Sequence, residues 1–146
     1  MIIAVDFDGT IVEHAYPLIG AEIPFAIDVL KRLQREDYHQ LILWSVREGK
    51  YLEEAVEYCR SRGLEFYAVN SDYPEEEASS FAGKHSRKLS VDLFIDDRNL
   101  GGLPDWGIIY RMVKYGESLN EATENITKND NFRSQKRGLA SLFKKK

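Results

Sequence analysis

The chain alternates between short apolar runs and longer stretches with helical spacing. Five short segments read as strands: Ile2–Phe7, Gln40–Val46, Glu65–Asn70, Leu93–Asp96 and Ile108–Met112. The first begins Ile-Ile-Ala-Val with no polar alternation, the pattern of a strand covered on both faces. Leu41-Ile42-Leu43-Trp44 has the same character. Between the strands the period changes. Pro24 suits a first helical turn, and Ala26, Ile27, Leu30 and Leu33 follow at helical spacing, with Lys31, Arg32 and Arg35 on the wet face. A second helix is expected from Gly49 to Arg62, with Leu52, Ala55, Val56 and Cys59 as its inner stripe and Gly63 as its stop. Pro74-Glu75-Glu76-Glu77 reads as a helix start, because acids suit the positive end of the helix dipole. A short helical stretch is expected over Lys84–Leu89.

Alternating strands and helices predict an α/β fold: one Rossmann-like domain with a central parallel sheet and, from right-handed crossovers, helices on both faces. Ligands of such sheets bind beyond the carboxyl ends of the strands. Here those ends carry Asp6-Phe7-Asp8-Gly9-Thr10, then Ser45, then Asp96-Asp97, with Lys84 and Lys88 upstream of the last pair. Two carboxylate pairs at one sheet edge repel each other unless a cation joins them. Carboxylates are hard oxygen donors, so Mg²⁺ is the natural cation, with coordination positions left for phosphate oxygens. If the first strand continues, Asp6 and Asp8 face the same way, so one can attack while the other handles protons. Gly9 permits a tight turn that leaves backbone N–H groups for an anion. A lysine and the Ser45 hydroxyl suit a phosphoryl group.

Composition narrows the picture further. A length of 146 residues suggests one domain and leaves no room for a second, substrate-binding one. The net charge of -4 hides an uneven split. Residues 1–127 hold 13 Lys+Arg and 23 Asp+Glu, whereas residues 128–146 hold seven basic residues and one acid, Asp130. The acidic body argues against a nucleic-acid partner. The single cysteine, Cys59, excludes an internal disulfide and a cysteine-based zinc site. No apolar run approaches the roughly 18 residues of a membrane span, and the start reads as a strand rather than a leader, so a cytoplasmic protein is expected.

Taken in order, these strand ends resemble the four motifs of the haloacid dehalogenase (HAD) superfamily. Asp6-Phe7-Asp8-Gly9-Thr10 is similar to its first motif, Ser45 to the second, Lys88 or Lys84 to the third, and Asp96-Asp97 to the acidic fourth. The resemblance covers roughly residues 1–113. Asp8 places the chain beside the phosphatases and phosphotransferases of that superfamily. The resemblance implies an aspartyl-phosphate on Asp6, with Asp8 as general acid and then general base. It implies Mg²⁺ held by the Asp6 carboxylate, the Asp8 backbone carbonyl and Asp96, with Asp97 in support. It implies phosphate binding by Phe7, Asp8, Ser45, Lys88 and Lys84. The intervals between motifs leave no space for a cap domain, so Ile11–Ile23 corresponds to a small flap, with His14 as a candidate substrate contact. Arg47 is either an anion contact or the structural partner of a nearby acid.

The expected domains are a core over residues 1–116 and an extension over residues 117–146, polar and then basic, carrying a short helix or a frayed end. The expected substrate is a small phosphorylated metabolite. A homo-oligomer could cover the site; an open site would admit larger substrates. A low-turnover phosphate-binding or regulatory module is the second reading. A calcium loop fits poorly, because Thr10 and Ile11 stand where an acid and a glycine are needed.

Overall fold

The computed structural model describes the backbone of residues 1–74 and 88–142, with side chains described up to residue 130. It divides into two compact units, Met1–Leu103 and Pro104–Lys146.

The first unit is built on a four-stranded, all-parallel sheet of order β3-β2-β1-β4. The strands are β1 (Ile2–Val5), β2 (Gln40–Leu43), β3 (Ala68–Val69) and β4 (Leu93–Ile95). Helix α1 (Ala26–Arg35) joins β1 to β2, and α2 (Gly49–Ser61) leads from β2 towards β3. Both steps move the same way across the sheet, so right-handed crossovers put α1 and α2 on one face. Phe7, just past β1, meets Tyr58 of α2 edge to face at 5.9 Å on that side. On the other face Ala4, Ile42 and Ala68 pack with Leu89, with Ile2, Trp44, Val91 and Phe94 around them. The uninterrupted apolar runs of β1 and β2 follow from this double coverage.

The strands are shorter than their apolar runs, because each carboxyl end breaks off into a loop. The β1–β2 interval holds the flap and α1, and the β2–β3 interval holds α2, so neither contains a cap. Helix α1 buries Ala26, Ile27, Val29, Leu30 and Leu33, and α2 buries Ala55 and Cys59. Burial pushes the Cys59 thiol up to about 12. The helix expected from Pro74 and most of the stretch Lys84–Leu89 lie outside the described residues; Lys88 and Leu89 themselves are not helical.

One strand expectation is overturned. Ile108–Met112 is not a fifth strand but the middle of helix α3 (Trp106–Tyr115). Asp105 caps it by accepting from the Gly107 N–H at 2.7 Å, and Gly116, at φ 67°, ends it. The buried residues Trp106 and Ile109 are three apart, the helical spacing that the short apolar run concealed.

α3 shares its unit with helix α4 (Leu119–Leu142). α4 has 24 residues and is far longer than the short helix expected. Ser118 and Glu121 form a reciprocal cap at its start: the Ser118 N–H donates to Glu121 Oε2 at 2.8 Å, and the Glu121 N–H donates to Ser118 Oγ at 3.3 Å. Arg111 grips Glu117 with two donors, and Asn125 donates to the same carboxylate at 3.0 Å. Among the described residues, no helix is long and apolar enough to cross a membrane.

Candidate functional site

The parallel register assembles the site. Val5 is the partner of Ile95, so the next residues, Asp6 and Asp96, emerge side by side from neighbouring strands. The Asp6 N–H donates to the Ile95 carbonyl at 3.0 Å and fixes this exit. Carboxylate oxygens of Asp6, Asp96 and Asp97 lie within 4.8 Å of one another. Thr10 is wholly buried and ties the two loops together. Its hydroxyl donates to Asp6 Oδ2 at 3.2 Å and accepts the Asp97 N–H at 3.1 Å.

Three carboxylates this close carry an electrostatic cost. Burial pushes the Asp6 carboxyl up to about 6, and the charges of Asp96 and Asp97 add to the rise against the Phe7 N–H and the Thr10 hydroxyl. Asp97 Oδ2 accepts from His14 Nε2 at 2.9 Å, while its buried Oδ1 has no hydrogen-bond partner. Asp96 Oδ1 accepts from the Arg98 N–H at 2.8 Å. Hard oxygen donors, mutual repulsion and one orphaned buried oxygen together fit a divalent cation such as Mg²⁺.

His14 comes from the flap. Glu13 donates its N–H to Ala21 at 2.8 Å and Ile23 to Ile11 at 2.9 Å, which pairs the two arms of this segment. The His14–Asp97 contact passes directly over Gly9, whose φ is 91°. A Cβ at Gly9 would lie 2.3 Å from His14 Nε2 and 2.6 Å from Asp97 Oδ2, so only glycine fits beneath the pair. The turn does not leave its N–H groups open as expected. Those of Gly9, Thr10, Ile11 and Val12 all donate to carbonyls within the turn, because the chain folds back on Phe7 to start the flap.

Asp8 has a different environment. Its carboxylate stands outside the triad and is held by Arg47, with Nε to Oδ2 at 2.6 Å and the Nη2 nitrogen to Oδ1 at 2.7 Å. The Arg47 side chain is 0% exposed and that of Asp8 12%. The same guanidinium donates to the flap carbonyls of Pro17 at 3.1 Å and Leu18 at 2.7 Å. It lies between the rings of Phe7 and Tyr16, 5.2 Å from each centroid. Of the two roles open to Arg47, pairing with an acid is the one present in this structure.

Ser45 follows β2, and its position is set by Asn70, a residue that carries no expected role. The Ser45 N–H donates to Asn70 Oδ1 at 2.8 Å and Asn70 Nδ2 donates to the Ser45 carbonyl at 2.9 Å. Asn70 sits at φ 51°, a left-handed conformation that asparagine tolerates. An amide at the carboxyl end of β3 was the available signal. Ser45 Oγ accepts the Arg47 N–H at 3.2 Å.

Lys88 lies in the described stretch just before β4. It is exposed, with its ammonium 5.7 Å from the centroid of the Phe94 ring, and it forms no ion pair with Asp6, Asp96 or Asp97. Lys84 lies outside the described residues.

No family model matches the chain, and no curated protein matches it. A solved structure from Bacteroides thetaiotaomicron, that of a conserved protein, is similar at 64% identity and a TM-score of 0.74. The match covers 83% of this chain and 95% of that one. With that identity across nearly the whole of the relative, the chain belongs to the same family as this conserved Bacteroides protein.

Proposed function

We propose that the protein is a Mg²⁺-dependent phosphomonoester hydrolase of the HAD type. The observation that carries this reading is the crowded triad of Asp6, Asp96 and Asp97 with its orphaned Asp97 oxygen. The order of the strand-end residues supports it. Asp6, Asp96 and Asp97 would hold the cation, which supplies positive charge against the phosphoryl oxygens. An Asp6 carboxylate oxygen attacks phosphorus and the ester P–O bond breaks, leaving an aspartyl-phosphate. For this step the Asp8 carboxylate must first give up one Arg47 donor and take up a proton from water, which it then passes to the leaving oxygen. Water then attacks phosphorus, Asp8 takes its proton, and phosphate leaves with Asp6 restored. The Ser45 hydroxyl and a lysine, Lys88 or Lys84, would meet the phosphoryl group once substrate is bound. On this reading the substrate is a small phosphorylated metabolite and the enzyme is cytoplasmic.

Phosphate release from an aryl phosphate with Mg²⁺ tests the reading against Asp6→Asn. Equal release by both proteins would overturn it. A second reading, a phosphoryl-binding module with little turnover, is favoured by the occupation of both Asp8 oxygens by Arg47. Binding of beryllofluoride without hydrolysis of any of a broad panel of phosphomonoesters would establish it.

A further inference from the structure

The flap and Asp8 share one side chain. Four hydrogen bonds leave the Arg47 guanidinium, two to the Asp8 carboxylate and two to the backbone carbonyls of Pro17 and Leu18. Backbone carbonyls depend on the path of the chain, so this pair of bonds exists only while the flap holds its present course. Tyr16 covers the guanidinium from the flap side and is braced edge to face by Tyr51 of α2 at 5.6 Å. If the flap lifts, Arg47 loses two acceptors and one covering ring, and water reaches it. The guanidinium is then no longer fixed from behind, and neither is the carboxylate it holds.

We propose that Arg47 is a positioning residue that couples the flap to Asp8, holding the Asp8 carboxylate in place only while the flap lies over the guanidinium. The proton-transfer role of Asp8 rests on the function proposed above. The coupling itself rests on the shared hydrogen bonds and applies whether or not the protein turns over substrate. A simpler role for Arg47, supporting the flap with no consequence for Asp8, makes different predictions.

Amide hydrogen exchange separates the two. Glu13 and Ile23 report the flap, because their N–H groups join its arms, and Ala4 and Val5 report the sheet. Arg47→Met should raise exchange at Glu13 and Ile23 by about tenfold or more, with the sheet amides unchanged. Arg47→Lys should recover part of that protection. Asp8→Asn lies outside the flap arms yet should also raise their exchange, because it weakens the other end of the guanidinium. Unaltered flap exchange in Asp8→Asn would overturn the coupling, and that variant also decides the matter if Arg47→Met fails to fold.

In turnover of an aryl phosphate, Arg47→Met should lower kcat by about 100-fold with little change in KM, as expected for a displaced catalytic group. A raised KM at constant kcat would assign Arg47 to substrate binding instead and overturn the positioning role. If the wild-type protein hydrolyses nothing, the functional reading fails, while the exchange experiment still decides the coupling.

Discussion

Asp6 and Asp8 sit two residues apart on the same turn and receive opposite treatment. Asp6 faces two further carboxylates, and the His14 imidazole meets one oxygen of Asp97 but none of Asp6 or Asp96. Asp8 faces a buried arginine that satisfies both its oxygens. The first arrangement brings like charges together, which costs free energy unless a cation joins them. The second spends its charge internally, which fixes geometry. A short stretch of sequence thus builds a crowded acidic cluster and a buried ion pair from the same residue type, and the partners across the sheet decide which is which.

The largest expected effect breaks the crowded side. Asp6→Asn should reduce phosphate release about 10⁴-fold, as loss of a nucleophile does, measured in single-turnover and steady-state assays. On the compensated side, Arg47→Met should destabilise the protein by about 3–5 kcal/mol in urea titration, because it strands the Asp8 carboxylate. Combining it with Asp8→Leu should recover most of that loss, since no charge is then left unpaired. A double variant as unstable as the single one would show that the flap contacts, rather than the ion pair, hold this region.

The third prediction uses pH. The folded-state value of Asp6 is raised from 3.8 to about 6, so its contribution to stability is full below 3.8 and is lost as pH rises through 6. Without Mg²⁺, this group should cost about 1–2 kcal/mol between pH 4 and pH 7, after allowance for solvent screening. Saturating Mg²⁺ should remove that loss, because the cation favours the ionised form. Calorimetry with and without Mg²⁺ checks both signs, and Asp6→Asn should flatten the metal-free dependence. The smallest effect is expected at the Ser45 clamp. Asn70→Ala removes two hydrogen bonds and should cost about 1–2 kcal/mol of stability, with a KM increase of a few-fold at most.

Much of this was legible in the sequence, for a physical reason. Strands buried on both faces must be continuously apolar, so an acid that ends such a run stands out. Asp6, Ser45 and Asp96 were visible in that way. Ile108–Met112 misled because five mostly apolar residues fit either period, and the Asp105 cap and Gly116 stop that decide for a helix lie outside the run. The pairing of Arg47 with Asp8 could be foreseen only as one of two alternatives. The partners are 39 residues apart, and the burial that decides between them comes from a flap with little apolar pattern of its own. Asn70 was missed because its role depends on the register of β2 and β3. The lysine remained ambiguous between two positions, since its placement depends on the course of the chain between β3 and β4 and not on spacing alone.

The pairing of Val5 with Ile95 has a consequence for how errors are handled during folding. A slip of one residue between β1 and β4 would exchange Phe94 and Ile95 between two differently packed faces and also carry Asp96 away from Asp6. The same mistake is therefore penalised by the core and excluded from the site. A chain that reaches the stable sheet has already brought its acids together, and quality control of the fold doubles as quality control of the acidic cluster.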